Sequence, residues 1–273
     1  MLGIGVKRIV YSIYTNEVDE HTSTNDFKKS QFKKYKEKII KSQRDYANLC
    51  NADYKLFDTK ITNYDNIQFE KIFLLEKLSK EYDEILYLDF DVIPHTNKII
   101  FNEFDLNTIC GYFIKRIINI RDLPKKYEYS PLNVFTKMCC KRAMLLIDDI
   151  DSDDSLLNTG ILLANKNSIK NLKFKERFQN ANKAYTEALN DNLYSEDISK
   201  CWKPNNEVYM SYLIERYNIP HTDIGIQWNF ILNEECPKPT AGAYMLHHVN
   251  KEFELSYSSI GSSLTSSTIS SDI

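Results

Sequence analysis

Short apolar runs alternate along the chain with longer segments in which apolar residues recur every three or four positions. The runs predict β-strands and the longer segments predict amphipathic helices, because a helix that faces a core repeats with a period of about 3.6 residues. The predicted strands cover residues 8–14, 53–57, 84–88, 108–114, 157–163 and 243–249. The predicted helices cover residues 25–49, 68–81, 130–146, 167–189 and 205–214. This order predicts a single α/β domain with a mostly parallel central sheet that opens with a right-handed β-α-β unit.

One predicted strand is followed directly by two carboxylates. Residues 84–88 run into Asp89-Phe90-Asp91, and Pro94 predicts that the strand has given way to a loop. We interpret the strand as central and covered on both faces, and ligands bind beyond the carboxyl ends of such strands. Two carboxylates this close repel each other unless a cation lies between them, and oxygen ligands favour Mg²⁺ or Mn²⁺. An alternative is that the pair only caps a loop or a helix.

Composition and charge narrow the class of protein. The 273 residues, of which 42% are hydrophobic, can bury a full core, and we expect one domain over residues 1–255 and a disordered Ser/Thr-rich tail over residues 256–273. A formal net charge of -3, from 35 basic and 38 acidic residues, gives no field that would select nucleic acid as a partner. No stretch approaches the length of a membrane span.

The spacing of the cysteines indicates a compartment. The cysteines are Cys50, Cys110, Cys139, Cys140, Cys201 and Cys236. They form no C-x-x-C pair and no zinc spacing, which indicates reduced and mostly buried thiols. Because disulfides are rare in the cytosol, we expect a cytoplasmic protein.

Residues 86–92, Leu-Tyr-Leu-Asp-Phe-Asp-Val, resemble the D-x-D motif of the GT-A glycosyltransferases, and in particular of the family 8 type enzymes. In those enzymes the motif ends a strand and holds a divalent metal against the diphosphate of a nucleotide sugar. Similar strings that follow in the family's order are Asn158-Thr159-Gly160, Trp228-Asn229 and a late histidine. The resemblance extends from about residue 8 to residue 251. The family's G-x-x-K-P-W string is not intact, and only Asn250-Lys251 stands near it.

The resemblance implies a metal site made by Asp89, Asp91 and a histidine, and this set suits Mn²⁺ or Mg²⁺. Two adjacent histidines, His247 and His248, end the last predicted strand. Successive strand side chains point to opposite faces, so only one of the two should be a ligand. The match to a Met-Leu-His string assigns that role to His247.

The resemblance also implies which residues bind the donor. Tyr14 and Thr15 stand where the family contacts the base and the ribose, Lys71 and Lys251 stand where cations face the diphosphate, and Phe90 lies within the motif itself. From the residues alone, Tyr14 can be a packing residue and Lys71 an inert lysine on a helix surface.

Asn158 and Glu207 are implied to lie near the reacting carbon, with Gly160 allowing the backbone to approach the donor sugar. Glu207 belongs to an Asn-Asn-Glu string where the family has a D-Q-D-like string. An acidic residue in a first helical turn can also simply stabilise the helix dipole. Trp228 and Asn229 are implied to lie on the acceptor side.

These residues together lead us to expect a metal-dependent glycosyltransferase that moves a sugar from a nucleotide sugar, such as a UDP-sugar, to a glycan or another hydroxyl acceptor with retention. Two alternatives stay open. A haloacid dehalogenase type phosphatase would use Asp89 as its nucleophile and Asp148-Asp149 as a later acidic pair. That pair begins an acidic run over residues 148–154, which we interpret as a solvated connection rather than a metal loop. A catalytically silent module would bind a nucleotide sugar or glycan without turnover.

Overall fold

The computed structural model describes residues 5–15, 26–63, 67–115, 131–190, 205–232 and 242–254. The strands are β1 (Arg8–Ile13), β2 (Asp53–Phe57), β3 (Glu84–Leu88), β4 (Val92–Pro94), β5 (Ile109–Lys115), β6 (Ser155–Asn165), β7 (His221–Asp223), β8 (Phe230–Leu232) and β9 (Met245–His248). The helices are α1 (Asp26–Leu49), α2 (Glu70–Leu78), α3 (Pro131–Ile147), α4 (Lys166–Leu172), α5 (Phe174–Asn190) and α6 (Asn206–Arg216). The predicted tail, Cys201 and Cys236 lie outside the described residues.

A six-stranded sheet in the order β2-β1-β3-β6-β5-β7 forms the centre of the fold. β1 is parallel to β2 and to β3, and β5 is parallel to β7. β6 runs antiparallel to both of its neighbours, β3 and β5. Three of the five pairings are therefore parallel, and the predicted α/β class with a mostly parallel sheet is confirmed.

Strand β3 is covered on both faces, as its unbroken apolar run predicts. Ile85 and Tyr87 pack in a core with residues of α2, α3, α5 and α6, and Leu86 and Leu88 pack in a second core with residues of α1. All four side chains are no more than 2% exposed. Alternate side chains of a strand point to opposite faces, so this arrangement anchors β3 from both sides and fixes where its carboxyl end lies.

A second sheet, in the order β4-β9-β8, was not predicted. β4 pairs antiparallel with β9, and β8 pairs parallel with it. Pro94 ends β4 instead of marking a loop, and its position on an edge strand needs no ladder hydrogen bond from proline. Only β9 lies within a predicted strand, and β4 and β8, with three residues each, are too short to show a period in the sequence. The pairing sets His247 opposite Val92, next to the D-x-D turn.

Two further segments differ from the sequence predictions. The helix expected over residues 167–189 is divided into α4 and α5, because Lys173 adopts a left-handed conformation with φ 47°. The strand predicted over residues 157–163, which contains Asn158, Thr159 and Gly160, is longer in the structure and extends over Ser155–Asn165 as β6.

The predictions about thiols and membrane spans can be compared with the structure only over the described residues. The free cysteines in these residues are Cys50, Cys110, Cys139 and Cys140. None of the helices in this part of the chain is both long enough and apolar enough to cross a membrane.

Lys141 of α3 is fully buried and binds groups of β6 and α6. Its ammonium group donates to Asp153 Oδ1 at 2.7 Å and to Ser155 O at 2.5 Å, and it also contacts the carboxylate of Glu215 in α6. The acidic run over residues 148–154 is therefore not simply solvated, since Asp153 pairs with a buried cation. This pairing connects α3 to α6, the helix that also carries Glu207.

We predict that Lys141→Ala lowers the free energy of unfolding by about 3 kcal/mol, because removal of one partner leaves the remaining carboxylates without their cation in a partly buried site. Urea denaturation followed by circular dichroism measures the change. Arg142→Ala, which removes the neighbouring exposed cation, is the matched control and should change stability by less than about 0.5 kcal/mol. Equal effects of the two substitutions would show that the buried network does not stabilise the fold.

Candidate active site

The ten side chains expected to contact the donor, the metal or the reacting carbon all line one cleft of about 490 Å³. They are Tyr14, Thr15, Lys71, Asp89, Phe90, Asp91, Asn158, Glu207, His247 and Lys251. The cleft lies beyond the carboxyl ends of β1 and β3, where ligands of open α/β sheets bind.

Asp89, Asp91 and His247 converge in this cleft. One ligand atom from each of them lies within 4.8 Å of the other two. His247 Nε2 is 3.5 Å from Asp91 Oδ2 and 3.9 Å from Asp89 Oδ2. No second group of three such side chains occurs in the described parts of the chain. Two carboxylates and one imidazole suit a divalent cation such as Mn²⁺.

Each of the two carboxylates also has a lysine partner. Lys71 Nζ lies 2.7 Å from Asp89 Oδ1, and Lys251 Nζ contacts Asp91 Oδ2. Burial alone would raise the pKa of Asp91, but the charge of Lys251 and the contact with His247 outweigh that effect and hold the pKa below its usual range. Asp91 is therefore an anion although it is only 5% exposed.

Lys251 reaches Asp91 from an unusual backbone conformation. Its φ is 65°, in the left-handed region that residues with a Cβ rarely occupy. Its N–H donates to His248 O at 2.9 Å, which closes a turn directly after β9. The turn returns the lysine side chain to the D-x-D motif.

Gln43 supports the D-x-D turn from α1 and was missed in the sequence. The side chain is fully buried, and Nε2 donates to Asp89 O at 3.1 Å and to Val92 O at 2.9 Å. On the other side, the Asp89 N–H donates to Gly160 O at 2.7 Å. The available signal was an uncharged polar residue on the apolar stripe of a lysine-rich helix.

Tyr14, Phe90 and Phe32 form an aromatic shelf on one side of the cleft. The rings of Tyr14 and Phe90 stack with centroids 4.4 Å apart and planes 24° apart. Phe32 lies 5.4 Å from Tyr14 and 5.6 Å from Phe90 between ring centroids. Tyr14 thus packs against other rings and also lines the cleft beside Thr15, so the two roles considered for it are compatible.

Glu207 lies on another part of the cleft wall, in the first turn of α6. Asn205 caps this helix, and its Oδ1 accepts a hydrogen bond from the Glu207 N–H at 2.8 Å. Asn158 Nδ2 donates to Glu207 Oε1 at 3.0 Å, and Lys137 Nζ contacts Oε2. The carboxylate is thus held by a cation and an amide. Lys137 was not predicted, because nothing in the pattern of α3 distinguishes it.

The implied acceptor contacts of Trp228 and Asn229 need correction. Trp228 is 4% exposed and packs against Tyr244, with ring centroids 4.8 Å apart. Asn229 is fully buried and donates to Asn158 Oδ1 at 2.8 Å. Neither side chain lines the cleft, and of the two only Asn229 is seen to contact site residues, from their buried side.

The two adjacent histidines point in different directions. His247 joins the carboxylates, whereas His248 Nδ1 lies 3.0 Å from Glu252 O and its ring packs against Phe253. Burial lowers the pKa of His248 to about 4. This geometry is what strand alternation predicts.

The acidic pair required for a phosphatase is not in the cleft. Asp148 accepts a hydrogen bond from Tyr212 Oη and pairs with Arg216 Nε, each at 2.8 Å. It does not line the cleft that contains Asp89. The structure therefore contradicts the alternative that needs Asp148 beside the nucleophile.

Gly160 makes room for the imidazole of His247. A Cβ added at residue 160 would lie 2.4 Å from His247 Cε1 and 2.8 Å from Nδ1. Real Cβ atoms essentially never come this close to another heavy atom. The glycine of the N-T-G string is thus required by the histidine ring, a reason that the sequence did not reveal.

No protein-family model matches this sequence, and no curated protein matches it. Among solved structures, the chain is similar to a glycosyltransferase involved in glycosylation of the major capsid of PBCV-1, with 12% identity, a TM-score of 0.47, and coverage of 89% of this chain and 94% of that one. It is also similar to mouse xyloside xylosyltransferase 1, with 11% identity, a TM-score of 0.46, and coverage of 90% and 98%. For the galactosyltransferase LgtC in complex with donor and acceptor sugar analogs, the identity is 10%, the TM-score 0.44 and the coverage 89% and 87%.

We predict that Gly160→Ala weakens Mn²⁺ binding by about tenfold or more, because the added methyl group displaces the His247 ring. Isothermal titration of the folded variant with Mn²⁺ measures this. Gly111→Ala is the matched control on neighbouring strand β5, where the Cβ would also come within 2.4 Å of an atom, but that atom is the flexible end of the Leu157 side chain. Unchanged Mn²⁺ affinity in folded Gly160→Ala would refute the steric role of this glycine.

Proposed function

We propose that this chain is a metal-dependent glycosyltransferase that transfers a sugar from a UDP-sugar to a glycan or other hydroxyl acceptor. The main observation behind the proposal is that Asp89, Asp91 and His247 meet at the end of β3. Two lysines, the aromatic shelf and the carboxylate of Glu207 line the same cleft around them.

The side chains of Asp89, Asp91 and His247 suit a divalent cation as its ligands. Asp91 is a buried anion, Asp89 is one quarter exposed at its side chain, and the His247 ring nitrogen faces both. Hard carboxylate oxygens and one imidazole are ligands that Mn²⁺ and Mg²⁺ accept. When bound there, the cation would supply charge neutralisation for the diphosphate of the donor.

The cleft offers separate places for the parts of a nucleotide sugar. The aromatic shelf presents flat apolar surface to a base, and Thr15 beside it presents a hydroxyl to the ribose. Lys71 and Lys251 are cations next to the acidic cluster, where a diphosphate would lie. Their charges would stabilise the nucleoside diphosphate as it leaves.

Asn158 and Glu207 are proposed to act at the reacting carbon of the sugar. A glycosyl transfer passes through a positively charged, oxocarbenium-like transition state, which a nearby carboxylate stabilises. Lys137 and Asn158 hold both oxygens of Glu207, so its position is fixed before substrate arrives. We propose retention of anomeric configuration, in keeping with the family 8 type resemblance of the motifs.

We predict that the chain binds UDP in the presence of Mn²⁺ and loses most of that affinity when a chelator is added. Asp91→Asn should lose more than the roughly 10- to 100-fold that removal of an outer hydrogen-bond partner of a metal site costs, because a charged ligand is lost. Calorimetric titration measures both effects. His248→Ala is the matched control, since its ring points away from the cluster.

Equal UDP affinity with Mn²⁺ and with chelator would contradict the proposed metal site. Turnover is tested separately by following hydrolysis of UDP-sugars over time in the presence of Mn²⁺. Metal-dependent binding without any hydrolysis or transfer would identify the chain as a silent binding module.

A further inference from the structure

Asn229 is a fully buried amide that contacts two parts of the candidate site. Its Nδ2 lies 2.8 Å from Asn158 Oδ1, and its Oδ1 lies 3.0 Å from His247 Nδ1. It therefore connects the residue that holds Glu207 to the histidine of the metal cluster. Buried amides with both ends engaged have one orientation that satisfies all of their partners.

The donor and the acceptor of each hydrogen bond from Gly160 to His247 follow from the first bond, which the Gly160 N–H donates to Asn158. The backbone N–H of Gly160 can only donate, and it lies 3.0 Å from Asn158 Oδ1. Asn158 Nδ2 must then face the Glu207 carboxylate, which accepts at 3.0 Å. Because Asn158 Oδ1 is an acceptor, Asn229 must present its NH₂ group to it. Asn229 is left with only its carbonyl oxygen for His247.

A carbonyl oxygen can only accept, so His247 Nδ1 must carry the proton. We propose that Asn229 is a positioning residue that holds neutral His247 in the Nδ1–H tautomer and leaves Nε2 bare toward Asp89 and Asp91. The inference rests on the proposed function only where it assigns a metal to Nε2. A histidine ligand depends on such a partner, since the group bonded to one ring nitrogen decides which nitrogen is free to bind.

The same hydrogen bonds link the two ends of the site. Glu207 and Gly160 set the orientation of Asn158, Asn158 sets that of Asn229, and Asn229 sets the tautomer of His247. Reversal of either amide would place two donors or two acceptors against each other between buried side chains. The W-N string thus acts on the metal cluster through Asn229.

The tautomer can be observed without any metal or substrate. We would label the histidine rings with ¹⁵N and record long-range ¹H–¹⁵N spectra from neutral to alkaline pH, with His247→Ala to assign the signals. The expected result is that neutral His247 has its proton on Nδ1. A proton on Nε2 would overturn the proposal, whether or not the protein binds Mn²⁺.

A second experiment measures Mn²⁺ affinity in variants shown to be folded by thermal melting. Asn229→Leu should weaken Mn²⁺ binding by about 10- to 100-fold, as expected for the loss of an outer partner of a histidine ligand. Asn229→Asp keeps an acceptor for the Nδ1 proton but loses the donor to Asn158 Oδ1, so its Mn²⁺ affinity should lie between those of wild type and Asn229→Leu. The matched control is Asn206→Ala, which removes a buried amide bonded to Thr159 Oγ1 at 2.5 Å and not to His247.

Unchanged Mn²⁺ affinity in folded Asn229→Leu, or an equal loss in Asn206→Ala, would overturn the inference. If wild-type protein binds no Mn²⁺, the proposed function fails, and the tautomer measurement still decides the role of Asn229. If Asn229→Leu does not fold, the tautomer measurement on the wild-type protein also decides the role of Asn229.

Discussion

The carboxylates of Asp89 and Asp91 lie close together and repel each other, and the groups around them offset this repulsion. Both follow a strand that is buried on both faces, which fixes the position of their backbone. Two lysines from distant segments, Lys71 of α2 and Lys251 after β9, pair with the carboxylates and offset their repulsion. A divalent cation would offset the same repulsion more completely, since it places two positive charges between the carboxylate oxygens.

Geometry around this pair is held by groups that have no charge. Gln43 binds the backbone of the turn from one side, and Gly160 accepts from the Asp89 N–H and leaves space for His247. The antiparallel strand β6 is therefore as important to the cluster as the D-x-D motif. It also supplies Asn158, so the positions of the metal ligands and of Glu207 depend on one strand.

The sequence was informative wherever a pattern extended over several residues. The apolar run before Asp89 predicted a strand buried on both faces. The motifs indicated ten side chains that line one cleft, whereas Trp228 and Asn229 do not line it. The second sheet was not predicted because two of its three strands, β4 and β8, have only three residues each. The roles of Gly160, Asn229 and Lys137 also could not be predicted, because each depends on a contact with a residue far away in the chain. Only the distances in the folded structure show those contacts.

Anomalous diffraction from crystals soaked in Mn²⁺, measured at the manganese absorption edge, would show where the ion binds. We expect one strong anomalous peak at bonding distance from Asp89, Asp91 and His247 Nε2, with the ammonium groups of Lys71 and Lys251 moved off the carboxylate oxygens. Absence of a peak there at saturating Mn²⁺, with both lysines still paired to the carboxylates, would contradict the proposed metal site.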